Sequence, residues 1–392
     1  MLVLKNAKLF TMNENDPNGR CYVGDIAVEN GKIVSVGKVH VAEDAEVIEL
    51  SGLTVIPGII DAHCHIGMFE DGMGFEGDDG NEMSSPSTPE VRAIDAINPF
   101  DKCFEEAMRG GVTTCVTGPG SANVVGGQFA AVKTNGRDVE DMLLRFPVGM
   151  KAAFGENPKR VYESRKAIFT RMQIAATLRT TLTKATEYEK KLRLAGDDES
   201  KKPERDLAME AMLPVIRREL PLKIHAHRAD DILTALRIAR EFNIRVTLDH
   251  CTEGYMIPEL LKKGIEDTGA GVIIGLLLSD RSKIELRNQS YSAPRVLYEN
   301  GIEFAMMTDH PVIPEQYLPI CAGLAVREGL PEYEALKSIT INAAKITGLD
   351  DRIGSIEPGK DADIAVFNGD PLEVKTRCVM TIINGRICHK EI

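Results

Sequence analysis

The chain has 392 residues, 43% hydrophobic and 27% charged, with 47 basic against 59 acidic side chains and a net charge of −12. That length buries a core without staples. The acidic balance excludes the basic face that nucleic-acid binding wants and a polybasic membrane anchor.

The first segment, MLVLKNAKLF, lacks the apolar core of a signal peptide, and no apolar run nears the ~20 residues that cross a bilayer. A cytoplasmic location without nucleic-acid or membrane partners is therefore expected. Residues 1–56 read as short strands, with LVLKNAKLFT, GDIAVENGKIVSVG and AEVIELSGLTV alternating in polarity and a Glu-Asn-Gly turn marking a hairpin. From residue 57 the pattern changes to short apolar runs alternating with helical stretches. The runs are 59–65, 112–117, 129–134, 148–154, 222–227, 246–250, 272–275 and 304–309, and 229–242 and 332–347 are typical of the helices between them. Eight such strands predict an α/β fold, a (β/α)8 barrel over 57–349. Residues 160–220 hold more helix than one crossover needs and read as an insertion after the fourth strand. Strand-like segments return at 362–367 and 378–388, the latter with an Asn-Gly turn, so residues 350–392 and 1–56 are expected to share one small β-sandwich. The eight cysteines contain no C-x-x-C pair and read as reduced, mostly buried thiols.

Six of the eight histidines fall at or just after the C-terminal ends of these runs, which in a barrel converge on one mouth. His63 and His65 are two apart, so on a strand both rings face one side while Cys64 faces the other. His225 and His227 repeat the spacing, His250 ends the sixth run, and Asp309 ends the eighth. Imidazole with carboxylate is a donor set for Zn2+, and it also suits Mn2+ or Fe2+. His310 should point away from the mouth, and His40 and His389 read as surface residues.

The order of these motifs, PGIIDAHCH, then a strand-5 histidine, a strand-6 histidine, a strand-8 Thr-Asp and the closing segment GSIEPGKDADIAVF, resembles the amidohydrolase superfamily over nearly the whole chain. Its imidazolonepropionase-like branch is the most similar. The resemblance implies a barrel with a terminal sandwich and one or two divalent ions, Zn2+ first. It implies that His63 and His65 bind the deeper ion, and that His225, preferred over His227, and His250 bind the second. Asp309 would bind the deeper ion and shuttle the proton. Two-metal members bridge their ions with a carboxylated lysine or a glutamate. Here the candidates are Lys151 and Glu156, and Glu156 is taken as the metal-binding residue because it needs no CO2. Arg228 and Ala229 stand where imidazolonepropionases place a glutamate, so that particular activity is not expected.

Loop 118–128 resembles a phosphate loop only superficially, because its spacing is not G-x-G-x-x-G. It reads instead as a mouth loop whose Asn123 and Gln128 touch substrate. His227, Arg228 and Tyr255 are further candidate substrate contacts, with Arg228 offering its planar fork to a carboxylate. Residues 70–90 read as a flexible lid or a substrate loop. The expected function is hydrolysis of an amide C–N bond in a small molecule, linear as in a dipeptide or N-acyl amino acid, or cyclic. A deaminase and an inactive scaffold are the alternatives. A homo-oligomer is a further expectation from the resemblance.

Overall fold

A computed structural model describes residues 1–392. The chain opens with β1 (Leu2–Leu9), β2 (Tyr22–Glu29), β3 (Lys32–Gly37), β4 (Glu46–Glu49) and β5 (Thr54–Pro57). It then builds a ring of eight strands. These are β6 (Ile59–Cys64), β7 (Val112–Thr117), β8 (Val125–Lys133), β9 (Leu143–Ala153), β10 (Leu222–Ala226), β11 (Val246–His250), β12 (Gly271–Ile274) and β13 (Ala305–Met306), neighbours in space in that order. The final segment adds β14 (Ile364–Phe367), β15 (Cys378–Ile383) and β16 (Arg386–Lys390) to the opening strands, giving a second eight-stranded sheet. Both Asn-Gly turns form as expected. Asn30–Gly31 and Asn384–Gly385 have φ of 51° and 79°, and of 49° and 73°, the doubly left-handed backbone that a two-residue hairpin requires.

The ring is nearly closed. Its last gap is spanned by the Asp309 amide donating to the His63 carbonyl at 3.2 Å and the His65 amide donating to that of His310 at 3.0 Å. The simple alternation of strand and helix fails at one place. β8 runs antiparallel to both β7 and β9, with no helix before it and only the single turn α2 (Val139–Met142) after it, α1 (Lys102–Arg109) having followed β6. Residues 118–124 are too few for a parallel crossover, which takes a dozen or more. The chain therefore turns back at the mouth, and that loop lies beside the histidines.

The expected insertion is α3 (Glu156–Glu163), α4 (Arg171–Ala195) and α5 (Leu207–Ile216). The remaining ring helices are α6 (Ala229–Phe242), α7 (Pro258–Thr268), α8 (Ala293–Glu299) and α9 (Leu318–Arg327). The helix expected over 332–347 is two, α10 (Glu332–Ser338) and α11 (Ile341–Thr347). The break frees the Ile339 carbonyl to accept the Ile60 amide of β6 at 2.9 Å. No helix is long and apolar enough to cross a membrane.

Apolar side chains gather in three clusters: between ring and helices, inside the ring around Phe129, and over the terminal sheet around Leu4, Ile26 and Ile364. A buried ion cluster fastens terminal sheet to ring. The Lys133 ammonium of β8 meets Asp363 and, at 3.4 Å, Asp361, which Arg352 and Lys32 also reach at 2.7 and 2.6 Å. Removing one partner of a buried pair strands the other charge. Lys133→Met is therefore expected to lower unfolding stability by about 3 kcal/mol, read from the urea midpoint. An unchanged midpoint would refute that role.

Candidate metal centre

Parallel strands deliver their C-terminal ends to one mouth, and the pleat decides which side chains face inward. On β6, His63 faces the ring interior. Cys64 faces the opposite side, where it meets Cys115 and Glu315 under the helical layer. The His63 Nε2 lies 3.5 Å from Asp309 Oδ1, the His65 Nε2 3.3 Å, and the His250 Nε2 4.0 Å. His250 and Asp309 reach this point from left-handed backbone, with φ of 72° and 55°, in a region uncommon for side chains other than glycine and typical of functional sites.

The far nitrogens of the rings fix what the near ones present. His65 Nδ1 is 2.6 Å from the Gly118 carbonyl, to which only an N–H can be offered. His63 Nδ1 is 2.7 Å from the Asp249 carboxylate, a short contact off the line of an ideal hydrogen bond. Protons on these two Nδ1 atoms leave Nε2 lone pairs aimed at the Asp309 carboxylate. Lone pairs facing a carboxylate repel it unless a cation relieves them, and the Lys151 ammonium, 3.2 Å from His63 Nε2, meets only the first of the two. Donors about 2.1 Å from one tetrahedral ion stand roughly 3.4 Å apart, which is the spacing found. Asp249 is itself held by Lys223 at 3.3 Å and by the Thr247 hydroxyl at 2.8 Å. Such a carboxylate behind a ligand histidine sets its tautomer and orientation. Asp61 performs a related task for the backbone, accepting the His63 amide at 2.9 Å and the Thr308 amide and hydroxyl at 2.8 and 2.6 Å.

A second group lies beside the first. His225, His227 and His250 place one ring nitrogen each within reach of a common ion. The Nδ1 atoms of His225 and His227 meet the hydroxyls of Ser121 at 2.9 Å and Thr252 at 2.7 Å. Their Nε2 atoms are buried and unpartnered.

Burial pushes the His63 imidazole down to about 3, helped by Lys151, and that of His227 down to about 4. Burial and neighbouring imidazoles hold His225 and His250 well below their usual range. The rings are thus neutral at pH 7 and ready as ligands. Burial would raise the Asp309 carboxyl, but the imidazoles of His250, His65 and His63 hold it well below the usual carboxylate range. Depressed histidines bind protons in the unfolded chain before the folded one, so they contribute stability above about 6.5 that is lost as pH falls. Buried Asp61, Asp231 and Glu315 are shifted upward and oppose this. With His310 also lowered to about 4, the histidines outnumber them. The melting temperature of the chelator-treated protein should therefore drop between pH 6.5 and 4.5. A flat profile there would contradict neutral buried rings.

Glu156 lies elsewhere than expected. It opens α3 and its carboxylate turns to Arg160, one helical turn on, with about a quarter of its side chain exposed. Lys151 is the residue the ring interior holds, fully buried on β9, its Nζ 3.2 Å from His63 Nε2 and with no carboxylate within ion-pair reach. Burial pushes its ammonium down to about 8.

The expected substrate contacts, His227 aside, are engaged away from the histidines. The Asn123 amide donates to the Glu82 and Ser85 carbonyls and to Thr88, and its oxygen accepts the Tyr162 hydroxyl. Gln128 donates to the Pro89 carbonyl, Tyr255 to that of Asn288, and Arg228 pairs with Asp230. The first two tie residues 82–89 to the mouth loop, so the later half of the supposed lid is pinned. His310 is buried with both ring nitrogens unpartnered, outside both histidine groups. His40 is exposed and His389 partly so. A cavity of about 740 Å3 lies between α1, α9 and the terminal sheet and touches none of the mouth histidines. Sequence reading missed Lys223, Asp249 and Glu285. The Thr247-Leu248-Asp249-His250 run held a signal for Asp249, one residue before a ligand candidate, whereas Glu285 sits in a loop without motif.

The family model of the amidohydrolases matches residues 54–388. The chain is 30% identical to the amidohydrolase tasK of Hapsidospora irregularis over 93% of its own length, spanning 40% of that longer protein. It is 24% identical to the imidazolonepropionase of Fusobacterium nucleatum over 88% of this chain and 85% of that one. Among solved structures, an amidohydrolase from Thermotoga maritima superposes with a TM-score of 0.94 at 43% identity, covering both chains fully. With the motifs, the ring and these matches in agreement, the chain belongs to the amidohydrolase family.

Proposed function

We propose that the protein is a metal-dependent hydrolase that cleaves an amide C–N bond in a small molecule, linear or cyclic, with Asp309 as general base and acid. The observation that carries this is the convergence of the His63 and His65 lone pairs on one Asp309 oxygen at 3.5 and 3.3 Å. His63, His65 and Asp309 would hold one divalent ion, Zn2+ first with Mn2+ or Fe2+ as alternatives. His225, His227 and His250 would hold a second. Lys151, rather than Glu156, would bridge them, a reading supported by its buried ammonium 3.2 Å from His63 and by Glu156 pairing with Arg160. Its depressed pKa supplies the neutral amine that attacks CO2. The nitrogen gains the carboxyl group and releases its proton to solvent, giving a carbamate whose charge two cations would stabilise.

When bound, such an ion polarises the scissile carbonyl and acidifies water. Asp309 takes the proton of the attacking water and delivers it to the leaving nitrogen, which departs as a neutral amine. Its closeness to the reacting atoms matters more than its intrinsic basicity. Asp249 and the Gly118 carbonyl hold His63 and His65 in the tautomer that this requires. Residues 1–56 with 350–392 read as one β-sandwich domain beside a catalytic barrel of 57–349, supported by the separate apolar core of the terminal sheet.

The test is to assay protein reconstituted with Zn2+, Mn2+ or Fe2+ against dipeptides, N-acyl amino acids and cyclic amides, following the new carboxylate and amine by mass spectrometry. Metal-dependent release of both supports the reading. Ammonia without a new carboxylate would assign a deaminase instead. A chain that binds no divalent metal would sink both and leave the scaffold.

A further inference from the structure

We propose that Glu285, from the loop between β12 and α8, is a ligand of the second metal position and closes it as a site of four protein donors with His225, His227 and His250. The inference rests on the reading above that the mouth holds divalent metal. It adds a residue that the histidine motifs do not contain, and it changes what the second ion does.

Glu285 is buried to 2% exposure in the short turn Ile284–Leu286. One oxygen, Oε2, accepts the Glu156 amide at the start of α3 at 2.9 Å. The other, Oε1, has no hydrogen-bond partner. It lies 3.7 Å from His225 Nε2 and 3.8 Å from His227 Nε2, which are unpartnered as well. No lysine or arginine comes within ion-pair distance of this carboxylate. Three buried electron-pair donors therefore lie together without a hydrogen-bond partner, and groups buried in that way are costly unless a cation joins them. These two spacings are slightly wider than the roughly 3.4 Å of a tetrahedral zinc site, and the ligand atoms of the three histidines already lie within 4.8 Å of one another, so it is the Glu285 carboxylate that would close in when metal binds.

The surroundings are shaped for the same carboxylate. Gly155 ends the mouth side of β9 with φ of 86°, and a Cβ there would stand 2.5 Å from Glu285 Oε2. Its left-handed φ favours glycine before α3, and the missing Cβ leaves room for the Glu285 carboxylate to dock. Ser121 and Thr252 orient the two imidazoles from behind, as partners behind metal-ligating histidines do.

Four protein donors make a closed site of the structural kind, whereas catalytic sites keep a position open. The open coordination then belongs to the ion at His63, His65 and Asp309, where substrate and water would meet. With the Lys151 carbamate of the reading above as a fifth donor, the second ion would have no position left for water and would be retained tightly.

The experiment compares the full-length wild type with Glu285→Gln, each metal-loaded and dialysed, by elemental analysis, by chelator competition, and by the visible spectrum of the Co2+-substituted protein. Wild type is expected to keep two equivalents. Glu285→Gln should keep one, lose affinity for the other by about 100-fold or more, beyond the 10–100-fold typical of outer partners, and show an altered Co2+ spectrum. Two equivalents with unchanged affinity and spectrum in the variant would overturn the proposal while leaving the hydrolase reading intact. So would a wild type that binds a single ion indifferent to Glu285→Gln. A wild type that binds no metal would overturn the hydrolase reading itself. If Glu285→Gln does not fold, Glu285→Asp, with its carboxylate drawn back by one methylene, is read in the same way.

Discussion

Lys151→Met is expected to lose turnover by at least about 100-fold, more than outer-shell partners usually cost, while the metal-free protein melts no lower than wild type. The two halves of this result have separate causes. The lysine is fully buried, has its ammonium beside the His63 ring nitrogen and over the Phe129 ring, and has no carboxylate within ion-pair reach. Its ammonium is pushed down to about 8 from an ordinary 10.5. The unfolded chain therefore holds this proton between about pH 8 and 10.5 where the folded chain has released it. The penalty grows as pH falls through that window and is complete below it, amounting to about 3 kcal/mol at neutral pH. Methionine carries no charge and has a similar length, so that penalty disappears. Catalysis is lost because no bridging carboxylate can form. Two measurements check the assignment. The wild type should carry the mass of one bound CO2 on Lys151 in a native mass spectrum, and the Lys151→Ala protein should recover part of its activity when a short carboxylic acid is added. Full activity in Lys151→Met would remove the lysine from the site and return attention to Glu156.

Asp309→Asn should lower kcat by about 10³-fold, within the range for losing a general acid–base, with little change in KM. The amide keeps the shape and one acceptor oxygen but cannot take up the water's proton. Because His63 and His65 still contribute their lone pairs, the deeper ion should be weakened but present at saturating metal. Turnover measured there separates the proton-transfer role from simple loss of the ion. A variant that keeps wild-type kcat with metal bound would rule out Asp309 as the proton carrier.

Most of what places these residues was legible in the sequence. Eight apolar runs became the eight strands of the ring, because a strand buried on both faces must read as a short apolar stretch. The His-x-His spacing put both rings on one face because the strand period is two. Both Asn-Gly turns formed because only a left-handed pair closes so tight a hairpin. These are local constraints, carried by residues near one another in the chain.

What the tertiary structure decided concerns residues whose partners lie far away along the chain. That Lys151 lies beside His63 while Glu156 turns to Arg160 was decided by how β9 leads into α3 in the packed ring. The reversed direction of β8 followed from the brevity of a loop whose destination only the closed ring defines. Asn123 and Gln128, polar and near the mouth, were claimed by carbonyls of residues 82–89 that approach from another part of the chain. Glu285 carries no motif, and its role depends on a glycine 130 positions earlier leaving room for its carboxylate. Periodicity reports the face on which a side chain lies, whereas the partner it meets there is set by the packing of the whole ring.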